Sequence, residues 1–132
     1  MLLLFIKLFL NNDLSVVLLK RYFIMILGLI DDKVIGVCHI ETNLIKGEGT
    51  YGIAILRDYR GRRIGYKLSS YAIMYAKKLG VNRIILTVDS DNITALKLYK
   101  KLGFRVIDYI ERGDYRYTTK EFVDFYKMEL VM

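Results

Sequence analysis

The 132-residue chain has no proline and no tryptophan, and only one cysteine and one histidine. Each shortage excludes something. A solitary Cys38 leaves no disulfide framework and no thiolate metal cluster, and it suits a reducing, cytoplasmic setting. A solitary His39 removes Ser-His-Asp and Cys-His catalysis unless another group serves as base. Both residues sit in an apolar strand pattern, where packing is their expected role. Linkers, low-complexity runs and internal repeats are also missing, so residues 1–132 read as a single domain. The opening "MLLLFIKLFL" lacks a basic leader before its apolar run and a small-residue cleavage site after it. Lys7, "NND" and Lys20-Arg21 break the apolar stretches short of the roughly 18 residues of a membrane helix. The expectation is therefore an inner strand over 2–10 and no membrane association.

What is present is an ordinary globular balance, 54% hydrophobic and 27% charged, with a net charge of +7. The excess of basic residues favours a polyanionic partner such as a phosphorylated small molecule, nucleic acid or an acidic surface. Asp13 or Ser15 predicts the start of a short helix ending near Lys20. The runs 22–29 and 33–41, separated by "IDD", predict a hairpin. "NLIKGEG" is a turn, and 50–56 is apolar on both faces, which predicts a central strand. From Ile64 the spacing becomes helical through Leu68, Tyr71, Tyr75 and Leu79, with Gly80 as a terminator. A strand over 83–88, a helix over 92–102 closed by Gly103, and strands over 104–111 and 122–131 complete the pattern. This alternation predicts a mixed α/β sheet.

The stretch "DYRGRRIGYKL" carries the chemistry. A helix N-terminus presents unpaired N–H groups and a partial positive charge, which attract anions. Gly61 and Gly65 allow a phosphate to approach the backbone, and Arg60, Arg62 and Arg63 add forked cationic donors. A strand, a basic glycine loop and a helix in this order form a pyrophosphate cradle. No Lys-Ser/Thr pair follows Gly65, so this is not a Walker loop, and the glycine spacing is not that of a dinucleotide fingerprint.

The same stretch resembles the signature loop of the GNAT superfamily of N-acetyltransferases, Arg/Gln-x-x-Gly-x-Gly/Ala, with Arg60 and Gly65 at its ends and Arg63 at the usual middle glycine. A second stretch, "LTVDSDNITALKLYKKLGF", resembles the family's next motif at Asn92, Ala95, Tyr99, Gly103 and Phe104. The resemblance implies a mostly antiparallel α/β (α+β) sheet with a central splayed parallel strand pair, helices on both faces and a shortened first-helix region. It implies acetyl-CoA as co-substrate and no metal. The pantetheine arm would lie along Ile53, Ala54 and Ile55. The pyrophosphate would sit on Gly61, Arg62, Arg63, Ile64, Gly65 and Tyr66, beside Arg60, and Asn92 would contact the arm.

The implied reaction is direct attack of an amine on the acetyl carbonyl through a tetrahedral oxyanion, held by a backbone N–H at the end of the 50–56 strand. Tyr99 would be the general acid for the leaving thiolate. Family members often carry a glutamate base on a central strand. Here the comparable positions are Gly49 and Thr87, neither of which takes a proton, and a one-residue offset turns a strand side chain to the other face. Glu48, one residue away, is the candidate catalytic base where a bulge corrects that offset; the alternative is a water chain held by backbone carbonyls, or no base. Without a strong base, acceptor pKa matters. At pH 7 a lysine amine is neutral roughly 0.04% of the time and an α-amine roughly 10–15%.

The expected acceptor is therefore a protein or peptide N-terminus, similar to those of ribosomal-protein N-terminal acetyltransferases, with Tyr115 and Tyr117 gripping the peptide. A small amine, polyamine or aminoglycoside acceptor, or a catalytically weak acyl-CoA sensor, is the alternative. Only residues 11–21 stand where the family places two helices, so the acceptor side should be open or completed in a homodimer. A nucleic-acid module would use the same arginines, but the lysines at 67, 77 and 78 fall on a solvated helix face and no such motif is present.

Overall fold

The computed structural model describes residues 4–10, 13–20 and 23–132, with side chains from Phe23 onward. The described strands are β1 (Leu4–Leu10), β2 (Asp13–Lys20), β3 (Phe23–Ile30), β4 (Lys33–Asn43), β5 (Glu48–Ile55), β6 (Arg83–Asp89), β7 (Arg105–Arg116) and β8 (Glu121–Val131). Helix α1 (Ile64–Lys78) links β5 to β6, and α2 (Ile93–Leu102) links β6 to β7. The eight strands form one sheet in the order β1-β2-β3-β4-β5-β6-β8-β7. All neighbours are antiparallel except β5 and β6.

The predicted hairpin over 22–41 is present, although Tyr22 lies outside the described residues. Asp31 and Asp32 take φ 49° and 62° between the paired Ile30 and Lys33. Positive φ at both central residues matches a two-residue loop to the twist of its strands.

The short helix expected over 13–20 is instead strand β2. Its backbone pairs on both sides, Val17 opposite Ile6 and Ile26. The Val16-Val17 pair favours extended structure, and two ladders outweigh a local capping signal at Asp13. The first expected strand is β1, but it lies at the edge of the sheet, paired only with β2, rather than inside it; Leu2 and Leu3 lie outside the described residues.

The mostly antiparallel α/β sheet with one parallel pair is present, with one difference in its layers. Both helices lie on one face: the Tyr51 hydroxyl meets Ser69 of α1, and its ring meets Tyr99 of α2. Among the described residues no helix covers the opposite face, because the segment that would supply it is β2. There Phe23 stacks on His39, and Met25, Leu27 and Val37 stay half-exposed.

On the helix face a continuous core joins Ile24, Ile26, Cys38 and Ile40 to Leu68, Ala72 and Ala76, and runs on to Leu86, Tyr99 and Met128. Gly28 and Gly36 admit α1: a Cβ at either would sit about 3.3–3.4 Å from Leu68. No helix among the described residues is long and apolar enough to cross a membrane.

Candidate active site

Strands β5 and β6 pair only through Glu48–Arg83, Gly49–Ile84 and Thr50–Ile85. Beyond Thr50 they separate. Tyr51–Ile55 keeps its antiparallel partner β4, while its other edge has no strand beside it. Charge locks the closed end of the wedge: Arg83 reaches Glu48 at 3.4 Å and Glu129 at 2.7 Å, and Arg105 also holds Glu129 at 2.7 Å. These two guanidinium groups hold the Glu129 carboxyl below its usual range.

The open end contains a groove of about 480 Å³. Its walls include Ile53, Ala54 and Ile55 of β5, then Arg60, Gly61, Arg63, Ile64, Gly65 and Tyr66, and finally Asn92, Ala95, Leu98 and Tyr99. Ten of the eleven residues expected to bind cofactor thus line one groove. The exception, Arg62, lies 5.3 Å over the Tyr59 ring. Tyr59, Thr94 and Lys101 also line the groove. They carry no motif signal, although Lys101 follows from helical spacing and stands over the Tyr66 ring at 4.8 Å.

Local backbone chemistry shapes this groove for an anion. Helix α1 has no side-chain cap and no acidic residue in its first turn, so its leading N–H groups are unclaimed. The residue before it, Arg63, takes the left-handed conformation at φ 60°. An arginine therefore adopts the backbone angle that a glycine takes without strain. Gly61, at φ 78°, has no atom within 4 Å of where a Cβ would stand. Arg60 ties the loop to the end of β5 by donating from Nε to the Ile55 carbonyl at 3.1 Å. By contrast, Asn92 caps α2, its Oδ1 accepting from the Ala95 N–H at 3.2 Å.

A second cavity of about 390 Å³ opens on the other side of Tyr99. It is lined by Thr87, Val88 and Asp89 of β6, by Asn92 and Tyr99, and by Gly113, Asp114 and Phe125 of the β7–β8 hairpin. Tyr99 and Asn92 belong to both spaces and mark their junction. Arg116 lies beside this cavity, bridging Asp89 at 3.0 Å and Asp91 at 2.7 Å. Arg60, Arg63 and Lys101 thus stand in the wall of the first space, and Asp89 and Asp114 in the wall of the second.

Tyr99 is buried, with its ring edge-on to Tyr51 and Phe104. Burial first, and the Cys38 sulfur second, raise its pKa above the ordinary tyrosine value. The hydroxyl therefore stays protonated throughout the neutral range. The same shift makes it a weaker acid, so its chief offer is a hydrogen bond to negative charge developing beside it. Behind it, Tyr51 and Ser69 share a 2.5 Å hydrogen bond, and burial pushes the Cys38 thiol up to about 12, leaving it inert as a nucleophile.

Glu48 sits at the closed end of the wedge with Arg83 and lines neither space. Tyr115 and Tyr117 pack edge-on to one another at 4.9 Å, with Tyr115 against Phe122 at 5.0 Å, and neither lines either space. Their neighbour Asp114 does, and sequence reasoning missed it because β7 is irregular there. No group of three or more His, Cys, Asp or Glu among the described residues could hold a metal.

A splayed parallel pair, an uncapped helix start at its mouth and a tyrosine in the cleft define the architecture of an acyl-transfer fold. The profile of the Acetyltransferase (GNAT) family matches residues 7–104, and the chain belongs to that family. It is 30% identical over 94 residues to N-alpha-acetyltransferase 30 of Schizosaccharomyces pombe, covering 64% of this chain and 63% of that protein. It is 34% identical over 70 residues to a mycothiol acetyltransferase of Corynebacterium aurimucosum, covering 53% of this chain and 23% of that protein. The chain thus spans only part of the curated relatives it matches. Among solved structures, a GNAT-family acetyltransferase from Streptococcus pneumoniae superposes with a TM-score of 0.79 at 29% identity, covering 86% of this chain and 69% of that one.

Proposed function

We propose that the protein is an N-acetyltransferase that moves an acetyl group from acetyl-CoA to a primary amine. One observation carries this reading: a cationic groove at an unclaimed helix start meets an acid-lined cavity at a buried, protonated Tyr99. The first space suits an anionic, phosphate-bearing donor, and the second suits an amine.

The residues present fit acetyl-CoA. The open edge of β5 offers backbone partners to an extended arm. Gly61 leaves space for phosphate, and the first N–H groups of α1, with Arg60 and Arg63, supply charge. When bound, acetyl-CoA supplies an activated acyl group as a thioester. The C–N bond would form first, giving a tetrahedral oxyanion, the C–S bond would then break, and the amine's surplus proton would pass to solvent. Tyr99 donates a hydrogen bond, and finally its proton, to the departing sulfur, and a proton from solvent restores its hydroxyl.

The acceptor we favour is a protein or peptide α-amine. At pH 7 the neutral fraction of an α-amine exceeds that of a lysine-type amine by two orders of magnitude or more, so an α-amine needs the least help from a base. Tyr115, Tyr117 and Phe122 at the adjoining hairpin tip offer aromatic surface to a peptide beyond its first residue. A homodimer in the cytoplasm belongs to the same proposal: the edge strand β7 exposes Val106, Ile107 and Tyr109, and Cys38 is a free thiol.

Incubation with acetyl-CoA and a panel of peptides, polyamines and aminoglycosides tests the assignment. Acetylation of peptide N-termini is expected. Acetylation confined to non-peptide amines would end the peptide assignment, and no turnover with any amine would end the enzyme assignment.

A further inference from the structure

The hairpin wall of the acceptor cavity is produced by an irregularity in β7. Ile110 pairs with Phe125 and Asp114 pairs with Val123, so residues 111–113 stand opposite Asp124 alone. Arg112 turns through φ 50°, and its N–H donates to the Asp124 carboxylate at 2.8 Å. Tyr109 donates its hydroxyl to the same carboxylate. Gly113 is required here, since a Cβ would lie 2.3 Å from the Phe125 ring and 2.5 Å from Ile110. The bulge re-aims the strand, and Gly113, Asp114 and Phe125 become cavity wall.

The carboxylates at this wall differ in their engagement. Asp89 and Asp91 are both held by Arg116, at 3.0 and 2.7 Å. Asp124 is committed to Arg112 and Tyr109. Asp114 lines the cavity with no ion pair or hydrogen bond among the described residues. A lone carboxylate in a substrate cavity favours a cation, but the attacking nitrogen must be uncharged. A carboxylate beside that nitrogen would raise its pKa and cut the reactive fraction tenfold per unit. Its charge aids the reaction when it holds a different cationic group of the same acceptor.

Resting on the acetyltransferase assignment above, we infer that Asp114 is the specificity residue of the acceptor cavity, selecting primary amines that carry a second positive charge. A peptide N-terminus followed by a basic side chain and a diamine share this chemistry. The test compares kcat/KM for two matched pairs: a Ser-Lys peptide against Ser-Leu, and 1,4-diaminobutane against butylamine. A preference for the dication of up to roughly fivefold is expected, the upper scale of one exposed ion pair, and the pair that shows it identifies the source of the second charge. Asp114→Asn should bring the ratio to about one. Asp114→Lys should reverse it for a Ser-Glu peptide, with acetyl-CoA affinity reporting that both variants are folded. Turnover without charge preference, or a preference that survives Asp114→Asn, overturns this inference and leaves the acetyltransferase assignment standing. No turnover with any amine overturns both.

Discussion

Replacing Gly65 by alanine separates folding from cofactor binding. Gly65 lies in the first turn of α1, where alanine is ordinarily better by about 0.5–1 kcal/mol. The new Cβ would stand 3.2 Å from Ile55 Cδ1, 3.3 Å from Leu98 Cδ2 and 3.5 Å from Ile53 Cδ1. These are ends of flexible side chains, so the crowding is relieved by shifts of a few tenths of an ångström, and the helix gain offsets most of its cost. Net stability should stay within about 1 kcal/mol of the parent, or about 4 °C in Tm. The methyl groups that move, however, all belong to the wall of the basic groove. Crowding a packed site costs about 1–3 kcal/mol, which is roughly a five- to 150-fold loss of affinity. Calorimetric titration with CoA, paired with thermal melting, should show weakened binding on an intact fold. Unchanged affinity in a folded Gly65→Ala protein would refute the placement of the cofactor. Gly61→Ala is the counterpart: space is open, but the φ of 78° costs about 1–2 kcal/mol for any side chain, so its main effect should be a lower Tm.

Two further outcomes follow from titration. Because Tyr99 is raised above its ordinary value and Cys38 to about 12, kcat/KM should climb with pH as the acceptor amine deprotonates, with no descending limb below about pH 10; a fall between pH 8 and 9.5 would contradict a protonated Tyr99. Glu129 is held below the usual carboxylate range by Arg83 and Arg105. Its contribution to stability is therefore present above the unfolded carboxyl pKa and lost as pH falls through the lower, folded value. Glu129→Gln should flatten that acid limb in melting experiments, and an unaltered acid profile would show that the wedge is closed by something else.

Much of the fold was legible because local signals and tertiary demands agree. Gly80 and Gly103 stand in positive-φ conformations at the helix ends, Asn92 caps α2, and the period change at Ile64 marks α1. The two motif loops sit where strand becomes helix, so their residues converge on one groove. Residues 13–20 were misread because Asp13 and Ser15 carry a capping signal, whereas neighbouring strands decide the outcome. The acceptor side was the least legible part. Asp114 reaches the cavity only through the bulge at 111–113, which arises from the fit of Gly113 against Phe125 and from the Asp124 anchor, and strand alternation does not reveal it. For the same reason Tyr115 and Tyr117 pack on each other rather than in the cavity. Spacing alone makes Glu48 a candidate base, and its pairing with Arg83 is a contact between separate strands that spacing does not reveal.

The most direct measurement is steady-state kinetics of Tyr99→Phe beside acetyl-CoA titration of the same protein. Removing one hydroxyl from a ring packed on Tyr51 and Phe104 leaves the groove walls in place. Turnover should fall on the order of 100-fold with cofactor affinity unchanged. Parental turnover in that variant, or loss of cofactor binding without loss of turnover, would contradict the role given to Tyr99 at the junction of the two spaces.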